Sequence, residues 1–484
     1  MKGTKNTTMR NKVVSGMIWL FGERISAQLV SMIVTVILAR LLTPEHYGMI
    51  SVVTVFITFS NVFVTSGFST ALIQKKEADD LDFDTTFVLS LVISVVLYAV
   101  LFFSAPLIAV FYEIPLLTPV IRVMAIKLPL AALNSVQRSY LQRDMRFKQF
   151  FKVTMGGTLA SAALGIGAAA AGLGVWALVI QQISNTLIGS ILLFFACEWN
   201  PKFRFSFVRI KAIWQFGWKA LLTHLVVSLQ DDIRSLIVGK VFGPADLAYY
   251  DQGKKYPSLL MTNINAAINK VMLSAYSREQ DNKARVLAML RRSVSVGAYI
   301  IVPLMLGFAA VAEPFVKMLL TEKWLPCVPF LQIFCICFIT RPLESCSYQA
   351  LLSIGKSGAS LIAIVIVNIA VLISVCISVF LLHSVLAIAL LSLVTTLISL
   401  ICWLSFANYH LGYKLKMQIQ DFVPSLAAGA TMFASVWLIG YLPVSELLLV
   451  VIQVMLGVAV YVAISVLFKM KAFVYVLEIV RRKH

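Results

Sequence analysis

Residues 358–381 read GASLIAIVIVNIAVLISVCISVFL, a run without a single charge. A run of that length matches the hydrocarbon thickness of a bilayer, which takes about 20 apolar residues in a helix. It is too long for a barrel strand of about 9–11 residues, and it lacks the two-residue alternation such strands show. Backbone N–H and C=O groups in lipid must be paired within the segment, so the run is read as a transmembrane α-helix. Working outward, comparable stretches fall at 14–38, 47–72, 86–110, 118–140, 154–173, 175–197, 212–238, 248–274, 293–314, 326–352, 384–408, 421–440 and 446–467. Composition agrees: of 484 residues 60% are hydrophobic and 13% charged. A soluble domain is about 45–50% apolar and a quarter charged. The balance excludes an ordinary soluble enzyme, a disordered chain and a fibrous one. The expected fold is all-α, a polytopic membrane protein with about fourteen transmembrane helices. Pro129 is expected to kink the fourth span and Pro257 to interrupt the eighth.

The formal net charge is +19, from 41 Lys+Arg against 22 Asp+Glu. No basic domain gathers these positives into a nucleic-acid surface. They recur between apolar runs instead. With fourteen spans, 28 of them lie on the side of both termini and four (Arg40, Lys240, Lys317, Lys323) on the other. This asymmetry predicts cytoplasmic termini. The basic start lacks a small-residue cleavage site and is read as leading into a retained first helix, not a signal peptide. The loops are short, so no extramembrane enzyme domain is expected.

The chain echoes itself. Trp19-Leu20-Phe21-Gly22 is followed by an apolar helix and then Pro44-Glu45-His46-Tyr47-Gly48. Trp214-Gln215-Phe216-Gly217 is followed by another helix and then Gly243-Pro244-Ala245-Asp246. Six spans separate the copies, so they share orientation and imply parallel repeats. The predicted organisation is a six-helix bundle over 1–211, a second over 212–418, and two additional helices with a tail over 419–484. Two bundles around a cavity suit alternating access, and no channel filter motif is visible.

Ionisable residues inside apolar spans are costly and usually face a cavity or a partner. The first span carries Glu23, Arg24 and Gln28. Arg24, Gln28 and Ser31 share one helical face, although Glu23 and Arg24 also read as an interfacial pair that snorkels to the surface. The seventh span is the most polar, with Lys219, His224, Ser228, Asp231, Asp232, Arg234 and Ser235. It reads as cavity lining or as an ion network joining the bundles. Lys127 in the fourth span lies deeper than Arg122, which is placed for lipid headgroups. The eighth span has Lys254, Lys255 and Lys270; in the tenth, Arg341 and Glu344 are spaced to neutralise each other. Gln181 and Gln182 are spaced to bond a sugar or another helix. The candidate substrate cavity is Arg24, Gln28, Lys127, Lys219, Asp231, Asp232, Arg234, Lys270 and Arg341. Nine cations in the spans outnumber five carboxylates. That suits an anionic substrate such as a phosphate-bearing one, not a cation channel.

No Walker A, HExxH or GxSxG sequence is present, so neither internal ATP power nor a catalytic centre is expected. The seven cysteines form no CxxC, and neither disulfide scaffold nor metal site is expected. Glu77, Asp79, Asp80, Asp82 and Asp84 read as a solvated cytoplasmic loop. Phe468, Phe473, Val476 and Ile479 fit one face of an interfacial amphipathic helix near the C-terminus.

Several local sequences then resemble one superfamily. Residues 38–48 (LARLLTPEHYG), 66–76 (SGFSTALIQKK), 236–243 (LIVGKVFG), 273–281 (LSAYSREQD) and Glu322-Lys323-Trp324 followed by Pro329 are similar to stretches of the multidrug/oligosaccharidyl-lipid/polysaccharide (MOP) exporters. The likeness covers nearly the whole chain and fits the polysaccharide transporter branch, the colanic-acid-exporter-like group best. The chain departs from that pattern at Met272-Leu273, where relatives commonly carry Phe-Pro. The resemblance implies a MATE-like fold of two six-helix bundles plus two helices. It implies a non-enzymatic flippase that moves undecaprenyl-diphosphate-linked oligosaccharide repeat units across the bacterial cytoplasmic (inner) membrane. The units feed exopolysaccharide, capsule or O-antigen assembly. It further implies coupling to H+ or Na+ without a bound cofactor. Expected partners are the lipid-linked oligosaccharide, membrane lipids, and a polymerase with its assembly proteins, with no nucleic acid and a monomeric state. Alternatives are a drug/cation antiporter of the same superfamily, which would want an acidic cavity, or a non-transporting assembly scaffold. A membrane-embedded polymerase would need a large external catalytic loop, which is absent.

Overall fold

The computed structural model describes residues 22, 26–65, 72, 79–143, 146–197, 199, 201–279, 281–440 and 442–481. All the regular elements among them are helical: α1 (Ser26–Leu41), α2 (Pro44–Thr65), α3 (Asp80–Tyr112), α4 (Leu117–Met124), α5 (Lys127–Arg143), α6 (Phe147–Ala170), α7 (Val175–Ala196), α8 (Phe207–Val241), α9 (Pro244–Arg278), α10 (Lys283–Ala310), α11 (Ala312–Leu320), α12 (Val328–Phe338), α13 (Arg341–Ser353), α14 (Ser357–Ile377), α15 (Val385–Leu411), α16 (Leu415–Ile439), α17 (Glu446–Leu467) and α18 (Lys471–Arg481). Eleven helical segments of the described residues are long and apolar enough to cross a membrane. The short apolar helix α1 and the two 35-residue helices α8 and α9, rich in polar residues, are the remaining candidates. Together they are consistent with the fourteen read from the sequence.

Proline chemistry explains where helices break and where they do not. Pro129 cannot donate to the carbonyl of Ala125. That carbonyl instead accepts from the Leu128 amide at 2.9 Å, a tighter turn, and the fourth span is split into α4 and α5. The tenth span is likewise built in pieces: a 3-10 turn over Glu322–Cys327, then α12, then α13, which opens with Pro342 in its first turn. Pro257 does not interrupt its helix as expected. It lies inside an unbroken α9.

The chain divides into two compact units, Met1–Ala248 and Tyr249–His484. Helix α8, which the repeat-based division assigns to the second bundle, is part of the first unit. In that unit α6 and α7 form a close antiparallel pair. Their connection turns through Gly172 and Gly174, both at positive φ, which a side chain would strain. Small residues let the backbones approach. A Cβ on Gly165 would come within 2.5 Å of the Gln181 side chain.

In the second unit α10 packs along α16, where a Cβ on Gly429 would meet Val302 at 2.8 Å. Helix α9 lies equally close to the start of α12, since a Cβ on Gly253 would sit 2.9 Å from the Cys327 carbonyl. The Tyr299 hydroxyl of α10 donates to Ser465 on α17 at 3.1 Å, and the Tyr461 hydroxyl donates to the Tyr299 carbonyl at 3.0 Å. These bonds tie the last span to the body of the unit. The expected amphipathic tail is α18: Phe473 packs in the core beside Tyr461 and Met470, while Phe468 before it is exposed. Val476 and Ile479 have side chains outside the described set.

Candidate functional site

Arg24 lies outside the described residues, as do the side chains of Lys219, Asp231 and Lys270, whose backbones are helical in α8 and α9. Gln28 is half-buried on α1. Lys127 opens α5, and its Nζ donates to Gln182 Oε1 on α7 at 2.9 Å. The pair joins two helices of the first unit. Gln181, its neighbour, packs instead against Gly165 of α6. Arg122 is held by its neighbour Phe102 on α3. Its guanidinium lies over the Phe102 ring at 4.4 Å, and Nε donates to the Phe102 carbonyl at 3.2 Å.

On α8, Asp232 accepts a long hydrogen bond from Ser228 at 3.4 Å. Arg234 is half-buried one turn short of the closely packed Val238 and Gly239, and Ser235 is buried. In the second unit, Arg341 stays half-exposed over the Phe338 ring and reaches Glu344 only at 3.9 Å. The expected mutual neutralisation is therefore weak. Glu344 is buried and takes hydroxyl donors instead, Thr340 at 2.7 Å and Ser399 of α15 at 2.9 Å. Asn265 of α9 accepts from Ser345 of α13 at 3.1 Å. Lys127 and Gln182 are brought together by the structure. Of the other described candidates, Asp232 and Arg234 share α8 and Gln28 lies on α1, all in the first unit, while Arg341 lies on α13 in the second.

Two arrangements escaped the sequence reading. The first is at the end of α8. The Tyr112 hydroxyl donates to the Leu236 carbonyl at 3.1 Å, and Lys240 pairs with Glu113 at 2.8 Å. The hydrogen bond from Lys240 holds the Glu113 carboxyl below the usual carboxylate range. A Cβ on Gly48 would overlap the Pro244 carbonyl. The two echoed proline turns therefore touch: each proline opens a helix, and the glycine of one copy receives the backbone of the other. The repeat was the available signal for this contact. The second is the acidic run. Asp82 and Asp84 are buried, not solvated, and Asp79 with Asp82 forms a capping box at the start of α3. Asp84 accepts from the Lys202 amide at 3.0 Å and from Arg204 Nε at 2.8 Å. Arg209 reaches Asp79 at 2.8 Å and Asp82 at 3.5 Å. The extended strap 201–206 is thus fastened to α3, with Trp199 packed against Phe83 and Phe87. These carboxylates are committed to arginines, which is a structural role.

The chain is 23% identical over 356 residues to the teichuronic acid biosynthesis protein TuaB of Bacillus subtilis, covering 72% of this chain and 73% of that protein. It is 22% identical over 340 residues to the lipopolysaccharide biosynthesis protein WzxC of Escherichia coli, covering 69% and 68%. Among solved structures, the lipid II flippase MurJ in an inward closed conformation superposes with a TM-score of 0.75 at 16% identity, over 94% of this chain and 98% of that one. An inward-facing multidrug resistance MATE transporter of the MOP superfamily superposes with a TM-score of 0.62 at 16% identity, over 80% and 96%. The fold is therefore that of the MOP exporters. The family model described as polysaccharide biosynthesis protein matches residues 37–329, more than half the length, and the chain belongs to that family.

Proposed function

We propose that the protein is a flippase that carries undecaprenyl-diphosphate-linked oligosaccharide repeat units across the bacterial cytoplasmic membrane for surface polysaccharide assembly. The observation that carries this reading is the excess of cations inside the spans of a polysaccharide biosynthesis family member. Half-buried Lys127 and Arg234 are tolerable in lipid only with a partner or a polar cavity. Arginine and lysine side chains match a diphosphate in charge and in hydrogen-bond donors. The working division is two six-helix bundles, 1–211 and 212–418, with 419–484 appended. The bundles rock about a cavity lined by Arg24, Gln28, Lys127, Lys219, Asp231, Asp232, Arg234, Lys270 and Arg341. Asp231 and Asp232 are the positions suited to a coupling H+ or Na+. Both termini are cytoplasmic, the protein acts as a monomer without catalysis, and its product passes to a polymerase.

Depletion in the native host tests the reading. Lipid-linked repeat units should accumulate on the cytoplasmic face while surface polymer is lost. Persistence of assembled polymer with no build-up of intermediate would reject the flippase assignment.

A further inference from the structure

One cavity of about 390 Å³ lies in the second compact unit, between the beginnings of α10 and α16 and the tail helix α18. It is at the lower end of the roughly 300–1,000 Å³ range of small-ligand pockets. Its polar lining comes from Arg291, Arg292, Ser295, Asp421, Lys471 and Tyr475. Asp421 is fully engaged. Arg291 grips it through Nε at 2.8 Å and Nη2 at 2.9 Å, and the Tyr413 hydroxyl donates to it at 3.2 Å. That bidentate pair cancels itself and forms a rigid wall. Among the described residues, Arg292 and Lys471 have no ion-pair partner, so the cavity carries two uncompensated positive charges. Arg292 is also preorganised. Its guanidinium carbon lies over the Tyr475 ring, 3.2 Å from the centroid. A stacked guanidinium keeps its N–H edge available for an oxyanion.

The location selects the anion's source. Arg291 and Arg292 sit at the border of the apolar part of α10, which runs on into a candidate span. On the same face as Arg292, one and two turns further along, are Val296 and Ile300; Ile300 is exposed at 43%. Val474 of α18 is exposed to the same degree. A cationic pocket at the head of an exposed apolar stripe matches a molecule with an anionic head and an acyl chain, better than a free phosphate. The tail helix lies in the same zone because α18 directly follows the end of α17 and is tied down by Phe473.

We propose that this cavity binds the phosphate of an anionic phospholipid from the leaflet on the side of the C-terminus. Arg292, Lys471 and the Ser295 hydroxyl take the phosphate, and an acyl chain runs along Val296 and Ile300. The site uses none of the residues assigned to the transported substrate, so it stands or falls independently of the flippase reading.

Purified full-length protein, titrated with phosphatidylglycerol, phosphatidylcholine or glycerol 3-phosphate and followed by native mass spectrometry, tests this. Phosphatidylglycerol should fill one tight site, and Arg292→Gln with Lys471→Gln should weaken that site about tenfold. Phosphatidylcholine occupancy should be equal in both proteins. Arg292→Lys keeps the charge but gives up the stacked guanidinium, so it should bind between the parent and the double variant while melting at the same temperature. Equal phosphatidylglycerol occupancy in the parent and the double variant would overturn the site. So would loss of binding in Arg292→Lys with unchanged melting. Competition by glycerol 3-phosphate at equal concentration would overturn the lipid assignment in favour of a soluble phosphate ester.

Discussion

Gly48 shows how much a single hydrogen can decide. The Pro244 carbonyl occupies the space where a Cβ would stand, and that atom belongs to backbone in the first turn of α9, which cannot swing aside. Gly48→Val should therefore destabilise the protein by at least about 1–3 kcal/mol, the range for overpacked interiors. Thermal melting of the detergent-solubilised protein would register it. Gly167→Ala is the matched control, because a Cβ there meets nothing within 4 Å. It should melt at the same temperature or slightly higher, since alanine is the better helix former. Equal melting of Gly48→Val and the parent would discredit the contact. The sequence marked Gly48 only as part of a repeat. What it did not carry is which atoms meet, because contact between residues about 200 apart is settled by packing and not by local pattern. The candidate site was legible to a similar depth. Lys127 and Gln182 could each be singled out as polar groups in apolar runs, but their pairing depends on how α5 and α7 turn toward each other.

Among the elements, helical character was the most legible, because a long apolar run in lipid has few backbone solutions. Breaks were legible where proline removes an amide and the chain can tighten around it, as at Pro129. They were misread at Pro257, where α9 runs through. The acidic run was misread for a related reason. Charge density suggests solvation, but Asp84 is matched by an amide and a guanidinium about 120 residues away. Asp84→Asn keeps the shape and removes the charge. It should cost about 1–3 kcal/mol, the usual penalty for a weakened buried hydrogen-bond set. Trypsin should then cut faster at Lys202 and Arg204, as the strap 201–206 comes loose from α3. Unaltered cleavage kinetics and unaltered melting would mean that the strap is held by Trp199 and Phe203 alone.

For the whole molecule, the composition foretold a membrane protein, and the helices and family match agree with it. Within one fold the proposed cation excess of the spans favours an anionic cargo over a cationic one. Buried Glu344 is occupied by hydroxyls, and Lys127 and Arg234 are half-buried. Expression in a host lacking its own drug pumps should leave ethidium accumulation unchanged to within about twofold, against the tenfold differences that 1.4 kcal/mol of selectivity gives. Strong ethidium export would restore the antiporter reading.

The fastening of the strap also has a bearing on birth order. Helix α3 is synthesised and inserted well before Lys202, Arg204 and Arg209 exist. At about 5–20 residues per second the wait is of the order of 6–24 s. During that interval Asp82 and Asp84 must stay hydrated at the membrane surface. The start of α3 is fastened only after the strap arrives, so a chain stalled near residue 200, which lacks both the strap's arginines and α8, should leave Asp82 and Asp84 open to solvent.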